Sequence, residues 1–318
     1  MKDESVALIE LFDQFNDDDK AREYLESIRW ENGIVCPHCG CNEQAKFSTI
    51  KYNSKTKVRA GLRYCSNCKK QFTVTVGTIF ADSHIPLRKW VIAWHLLCAS
   101  KKGISSLQIM RMLKLGSYRT ALFMMHRIRF ALKQPVFNSK LYGTVEVDET
   151  YVGGKAKGAG GQWRKKKAAV VTLLQRGDHG EKRSVVIKDA TPKNLRALVT
   201  EHVAPNATVY TDDNLGYHGL DANYNHGVVK HCIKEYGRYE DGKYVSTNQV
   251  EGSFSLLKRG IYGTFHHVSK KHLHLYVAEF DHRYNYRKST DGERTIAGMK
   301  KANGKRLLYK SVVKKSGA

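Results

Sequence analysis

Four cysteines in two identically spaced pairs constrain this chain more than any other feature. Cys36-Pro37-His38-Cys39 and Cys65-Ser66-Asn67-Cys68 are both C-x-x-C. Each pair makes a tight knuckle that presents two thiolates to one point. Four thiolates suit a closed, tetrahedral Zn²⁺ site of the structural kind. The flanks fit a zinc ribbon: Gly40 follows the first pair, and Lys69-Lys70-Gln71-Phe72-Thr73-Val74 reads as a strand after the second. Free cysteines are the alternative, and two pairs at one spacing argue against it. Cys41 stands beside the first knuckle but outside the pattern. Cys98 and Cys232 are isolated and read as buried fillers rather than ligands.

A length of 318 residues allows two or three small domains and at least one sizeable core. With 41% hydrophobic and 26% charged residues, a folded protein is expected. The formal net charge of +24 is far from ordinary and points to a polyanionic partner, nucleic acid or an anionic membrane. Residues 1–26 run against this trend, with nine acidic and three basic side chains. Such an acidic start is unlike a secretory or transit segment. The longest apolar run, near Trp90–Ala99, is too short to span a bilayer. A cytoplasmic, nucleoid-associated location is therefore expected, with no membrane partner. A reducing compartment also favours metal binding over disulfides for the paired cysteines.

Five stretches differ in character. Residues 1–30 read as acidic amphipathic helices, residues 31–77 as the ribbon, and residues 85–133 as helices. Within the last, 104–113 and 118–132 flank Lys114-Leu115-Gly116-Ser117 in the manner of a helix-turn-helix. Its second helix carries Arg119, His126, Arg127 and Arg129, with Lys133 beyond, all expected to meet DNA phosphates or base edges. The same pattern fits a plain helical bundle with a solvated basic face; the basic composition and the adjacent ribbon favour DNA. Residues 142–287 are mixed α/β, with strands expected at 143–148, 168–174, 184–188, 208–211 and 227–231. Helices are expected at 192–203, with Thr191 as N-cap, and at 247–258 and 269–287. That order is the order of an RNase H-like domain. The segment 153–167 holds five glycines and Arg164-Lys165-Lys166-Lys167, and reads as a mobile basic loop with Trp163 able to stack on a base. Residues 288–318, with nine basic and two acidic residues, read as a poorly ordered tail that meets DNA non-specifically.

The chemistry lies in acids. Thr144-Val145-Glu146-Val147-Asp148-Glu149-Thr150 alternates apolar residues with carboxylates, which are costly in a sheet unless paired or bound to metal. Ala207-Thr208-Val209-Tyr210-Thr211-Asp212-Asp213 is a short apolar strand ending in acids, where α/β sheets place functional groups. Thr247-Asn248-Gln249-Val250-Glu251 opens a helix on which Asn248, Glu251 and Lys258 share one face. Two strand carboxylates and one helix carboxylate can hold two divalent cations about 4 Å apart, the arrangement that serves phosphodiester attack, and Mg²⁺ or Mn²⁺ suits an all-oxygen site.

These motifs resemble the insertion sequence 1595 family of DDE transposases. The matching stretches are 36–40, 64–72, Gly77-Thr78-Ile79-Phe80, 145–155, 209–213 and 247–265, with Tyr284-Asn285-Tyr286-Arg287 near the end. The most specific are Asp148-Glu149-Thr150-Tyr151-Val152-Gly153-Gly154-Lys155, and Asn248-x-x-Glu251 followed by Leu257-Lys258-Arg259-Gly260 and Gly263-Thr264. The resemblance spans about residues 20–290. It implies an α/β, RNase H-like catalytic domain of the retroviral integrase type behind a zinc ribbon and a helical segment. It implies Asp148, Asp212 and Glu251 as magnesium ligands, with Lys258 as a basic residue two helical turns further on. Asn248 is the alternative third ligand, and Asp213 the alternative to Asp212. Metal-dependent cleavage and strand transfer at insertion-sequence ends is the implied activity. DNA ends and target DNA are the implied partners, with an oligomer assembled on DNA and no small-molecule substrate. The competing readings are a DNA-binding regulator with an inactive RNase H-like domain, and a stand-alone RNase H-like nuclease.

Overall fold

The computed structural model describes residues 8–56, 58–134, 139–154 and 167–308. Two compact units result: residues 1–132 with 288–318, and residues 133–287. The basic run at 164–166 and Trp163 lie outside the described residues.

The first unit opens with helices α1 (Leu8–Gln14) and α2 (Asp18–Arg29). Asp17 caps α2 by accepting from the Lys20 N–H, and Asp18 and Asp19 lie in its first turn, where negative charge suits the helix dipole. The ribbon follows as a three-stranded antiparallel sheet, β1 (Phe47–Thr49), β2 (Arg63–Cys65) and β3 (Lys70–Phe72), in the order β1-β2-β3. Helices α3 (Leu87–Ala99), α4 (Ser106–Met112) and α5 (Tyr118–Leu132) complete the N-terminal part. One hydrophobic core runs through all of it, with Trp30 and Phe72 from the ribbon side and Trp90, Trp94, Met124 and Ile128 from the helices. The expected border between ribbon and helices marks no break in this core.

Two expectations change here. In α5, His126, Arg127 and Arg129 are buried, and Arg127 donates to the Ala81 carbonyl at 2.6 Å and lies over the Trp90 ring. They build the core, and only Arg119 and Lys133 of the expected DNA-facing set are exposed. The sequence after residue 288 is not all tail. Thr290 and Glu293 form a capping box that starts a helix, Asp291–Lys300, and Met299 and Ala302 enter the first unit's core. That helix packs on α3 and α2.

The second unit is built on a five-stranded sheet: β4 (Thr144–Val152), β5 (Ala168–Gln175), β6 (Lys182–Ile187), β7 (Thr208–Asp212) and β8 (Asn225–Val229). Its order is β6-β5-β4-β7-β8, with β4, β5 and β6 antiparallel and β7 and β8 parallel to β4. The order and directions are those of the expected RNase H-like sheet. Helix α6 (Pro192–His202) covers one face through Leu195 and Val199, one turn apart, against Val145, Val147, Val171 and Val209. Helices α7 (Asn248–Gly260) and α8 (Leu273–Asn285) also pack on the sheet; Val250 and Phe254 cluster with Leu174 and Tyr284. A small hairpin, β9 (Arg238–Glu240) and β10 (Lys243–Val245), precedes α7.

Helix α8 also closes the outer edge of β6. Asn285 accepts from the Lys182 N–H at 2.7 Å and donates to the Lys182 carbonyl at 3.0 Å, while Asp281 accepts from the Ser184 N–H at 2.8 Å. Asp281 also pairs with the buried Lys182 ammonium at 3.2 Å. Burial pushes the Asp281 carboxyl up, and Lys182 and Ser184 pull it back. Removing one partner of such a pair strands the other charge. Asp281→Ala is expected to cost about 3–5 kcal/mol in urea unfolding, and a Lys182→Met/Asp281→Leu double variant is expected to lose less than the single one.

Candidate active site

The register of the two central parallel strands builds the site. Thr144, Val145 and Glu146 of β4 pair with Thr208, Val209 and Tyr210 of β7, and pairing stops there. Two residues beyond the last pair on each strand stand Asp148 and Asp212. They are thus level across the opening between the strands. Side chains alternate along β4, so Glu146 and Asp148 share one face, while Val145, Val147 and Glu149 share the α6 face.

Glu149 joins the site from that other face. Carboxylate oxygens of Asp148, Glu149 and Asp212 lie within 4.8 Å of one another. The Glu149 carboxylate is oriented by two donors, the Tyr217 hydroxyl at 2.8 Å and the Asn214 amide at 2.6 Å. Asp148 accepts from the Glu149 N–H at 2.7 Å, and Asp212 from the Asn214 N–H at 3.2 Å. Sequence reasoning passed over Glu149 because strand alternation turns it away from Asp148. The usable signal was the Asp148-Glu149 pair at a point where the strand loses a neighbour and both faces become reachable.

Glu251 lies on α7, half-buried, and accepts from the Thr247 hydroxyl at 2.7 Å. His231 Nε2 is 3.0 Å from its carboxylate. Its charge is felt at Asp148, although its oxygens fall outside the compact trio. Asn248 and Lys258 are exposed on the same helix, with Lys258 seven residues, about 10 Å, past Glu251. Asp213 turns elsewhere: a hydrogen bond with Cys232 holds its carboxyl below the usual range. Cys232 is exposed, not the buried filler expected, whereas Cys98 is buried.

Crowding of like charges shows in the proton affinities. Burial pushes the Asp148 carboxyl well above the usual range, and the charges of Asp212, Glu149 and Glu251 add to it. Burial, then the Glu149 charge, raises Asp212 to about 6. A cation bound among these carboxylates would offset the repulsion that raises them. The donor set is anionic oxygen throughout, which fits a hard divalent ion such as Mg²⁺ or Mn²⁺.

The ribbon thiols form a second group. Cys36 Sγ is 3.7 Å from Cys68 Sγ, and Cys39 Sγ is 3.8 Å from Cys65 Sγ. Sulfurs at tetrahedral corners about 2.3 Å from one zinc ion lie about 3.8 Å apart. All four fall within 4.8 Å of one another, and Cys41 is outside the group. Both knuckles turn the same way: Gly40 and Lys69, each just after the second cysteine, have φ of 74° and 56°. The Cys41 N–H and the Asn67 amide lower the Cys39 thiol to about 6.

Comparison with known proteins agrees with both groups. Residues 140–285 match the ISXO2-like transposase domain, and residues 16–71 match the transposase zinc-ribbon domain. A curated protein of Halobacterium salinarum, described as an uncharacterized protein in transposable element ISH50, is 31% identical over 284 residues, 83% of this chain and 90% of that protein. Fold and site together define an RNase H-like domain of the DDE transposase type, carried with a zinc ribbon. The chain belongs to the insertion sequence 1595 family of transposases.

The Asp212 shift makes a prediction for the metal-free protein. Its folded-state pKa of about 6 lies above the ordinary 3.8, so the folded state holds the proton more tightly. The stabilisation this gives is complete below the ordinary value and is lost as pH rises through about 6. In EDTA, Asp212→Asn is therefore expected to raise Tm relative to the parent more at pH 7 than at pH 4.5. A pH-independent difference in Tm would contradict the crowding of charge at this site.

Proposed function

We propose that this protein cuts and joins DNA at the ends of an insertion sequence, with Mg²⁺ or Mn²⁺ held by Asp148, Asp212 and Glu251. One observation carries the reading: acids from two strands gather at the end of the β4–β7 pairing, within range of the Glu251 charge on α7, and their mutual repulsion calls for a cation. When bound, such ions activate the attacking oxygen and stabilise the leaving oxygen of a phosphodiester.

The chain's own groups divide the rest of the work. Asp148 and Asp212 supply ligands from rigid strands. Glu149, fixed by Tyr217 and Asn214, holds further negative charge at the same point. Thr247 and His231 aim the Glu251 carboxylate. Lys258 is exposed and suited to a DNA phosphate. Cys36, Cys39, Cys65 and Cys68 hold one structural Zn²⁺. The +24 charge gives non-specific attraction to DNA, and the ribbon with the exposed Arg119 contributes to end recognition. Assembly of several copies on DNA in the cytoplasm, at the nucleoid, completes the proposal. Among the described residues no helix is long and apolar enough to cross a membrane. An intact set of acids speaks against a regulator with an inactive domain, and strand joining separates a transposase from a plain nuclease.

Two measurements test this. In a strand-transfer assay with Mg²⁺ and pre-cut ends, Asp148→Asn or Asp212→Asn should lower cleavage and joining by about 1000-fold, several kcal/mol of barrier, while end binding survives. Full joining by Asp148→Asn would refute the site. Asn248→Ala compared with Glu251→Ala assigns the third ligand, because only the true ligand gives a loss as deep as the aspartates. Separately, purified protein should carry one zinc per chain, and Cys65→Ser should lower both zinc content and Tm; protein purified without zinc yet fully folded would overturn the ribbon assignment.

A further inference from the structure

The start of α7 lacks the cap its sequence offers. Thr247 is the N-cap residue, yet its hydroxyl makes no capping bond and is directed instead to Glu251. The first N–H groups of a helix need acceptors wherever they are buried. Here they find one in another element. Glu146 of β4, fully buried, accepts from the Gln249 N–H at 2.9 Å and the Val250 N–H at 3.0 Å through one oxygen. Its other oxygen receives the Arg176 Nε–H at 2.6 Å. Arg176 then spends its remaining donors on the approach to α7: Nη1 on the Tyr244 carbonyl at 2.5 Å, Nη2 on the Ser246 carbonyl at 2.9 Å and the Ser246 hydroxyl at 2.7 Å. Its guanidinium lies 4.8 Å over the ring of Tyr210, the β7 residue paired with Glu146.

We propose that Glu146 and Arg176 form a bracket that caps α7 from the sheet and thereby sets Glu251 against Asp148 and Asp212. They are positioning residues for the metal site, and the inference rests on the reading of Glu251 as a metal ligand given above. The connection is short. Glu146 is two residues before Asp148 on the same strand face, and the Val250 N–H it holds belongs to the residue just before Glu251. The strand acid and the helix acid are thus tied through one hydrogen bond and three residues of backbone. Because Glu146 takes over the capping, the Thr247 hydroxyl is free to orient Glu251. Glu146 itself is no ligand: both its oxygens are engaged and it has no solvent access.

The test uses the full chain, with Mn²⁺ as the probe ion. Wild type, Glu146→Gln, Arg176→Lys, Glu251→Ala and the double variant Glu146→Gln/Glu251→Ala are compared. Gln at 146 must point an NH₂ group at a donor, and Lys at 176 keeps the charge but loses the fork. The bracket predicts faster amide exchange at Gln249 and Val250. It predicts Mn²⁺ affinity by paramagnetic resonance lower by about 10–100-fold, the usual cost of losing an outer-shell partner. Cleavage of end DNA should fall in parallel while DNA affinity holds. The two substitutions should not multiply: in the Glu251→Ala background, Glu146→Gln should add less than about 2-fold, because groups acting as one unit are non-additive. A folded Glu146→Gln protein with wild-type Mn²⁺ affinity, or losses that multiply in full, would overturn the bracket. Should Glu146→Gln fail to fold, Arg176→Lys carries the same test, since it leaves the buried carboxylate in place. A silent Glu251→Ala would bring down the ligand assignment itself, an outcome distinct from failure of the bracket alone.

Discussion

Parallel pairing of β4 with β7, and its end at Glu146 and Tyr210, is the constraint on which the site depends. Side chains on a strand alternate, so a slip of one residue would turn Asp148 into the α6 face and leave Asp212 without a level partner. The register is held by the apolar side of the same strands, where Val145, Val147 and Val209 are buried with Leu195 and Val199. The apolar face therefore dictates where the acids stand. Burial and the charges of neighbouring carboxylates also raise the proton affinity of these acids.

A sheet with this duty carries local costs that the surroundings offset. Glu146 is a carboxylate with no solvent exposure, tolerable because three donors, Arg176 and the first N–H groups of α7, converge on it. Lys182 and Asp281 repeat the pattern at the far edge. Tyr217, buried beside Glu149, is the hydroxyl that keeps a second acid aimed at the opening. These are polar groups placed where a purely stabilising core would use hydrocarbon, which is where local rules are expected to yield to function.

Much of this was legible in the residues. The five strands fall within a few residues of their expected places because β5 is a continuous apolar run, β4 alternates apolar residues with acids, and β7 is a short run with a buried centre. The four clustered cysteines were readable because spacing alone brings a C-x-x-C pair to one point. Glu149 was not, since the pleat hides a neighbour on the opposite face until the end of pairing is known. His126, Arg127 and Arg129 looked like a DNA-facing row because basic residues default to solvent; all three are buried, and Arg127 is held by Trp90 and the Ala81 carbonyl, both distant in sequence from α5. The helix after Thr290 was masked by the positive charge around it, although Thr290 and Glu293 spell a capping box.

The sealed flank of the sheet bears on how copies of this protein can meet. Strand β6 has its Lys182 N–H and carbonyl taken by Asn285 and its Ser184 N–H by Asp281. At the other margin, the Val228 carbonyl of β8 accepts from Arg238 at 2.6 Å. The β6 border therefore offers no unbroken row of free backbone groups for a neighbour to extend. A strand added from outside would first have to displace α8, the helix that carries both Asn285 and Asp281.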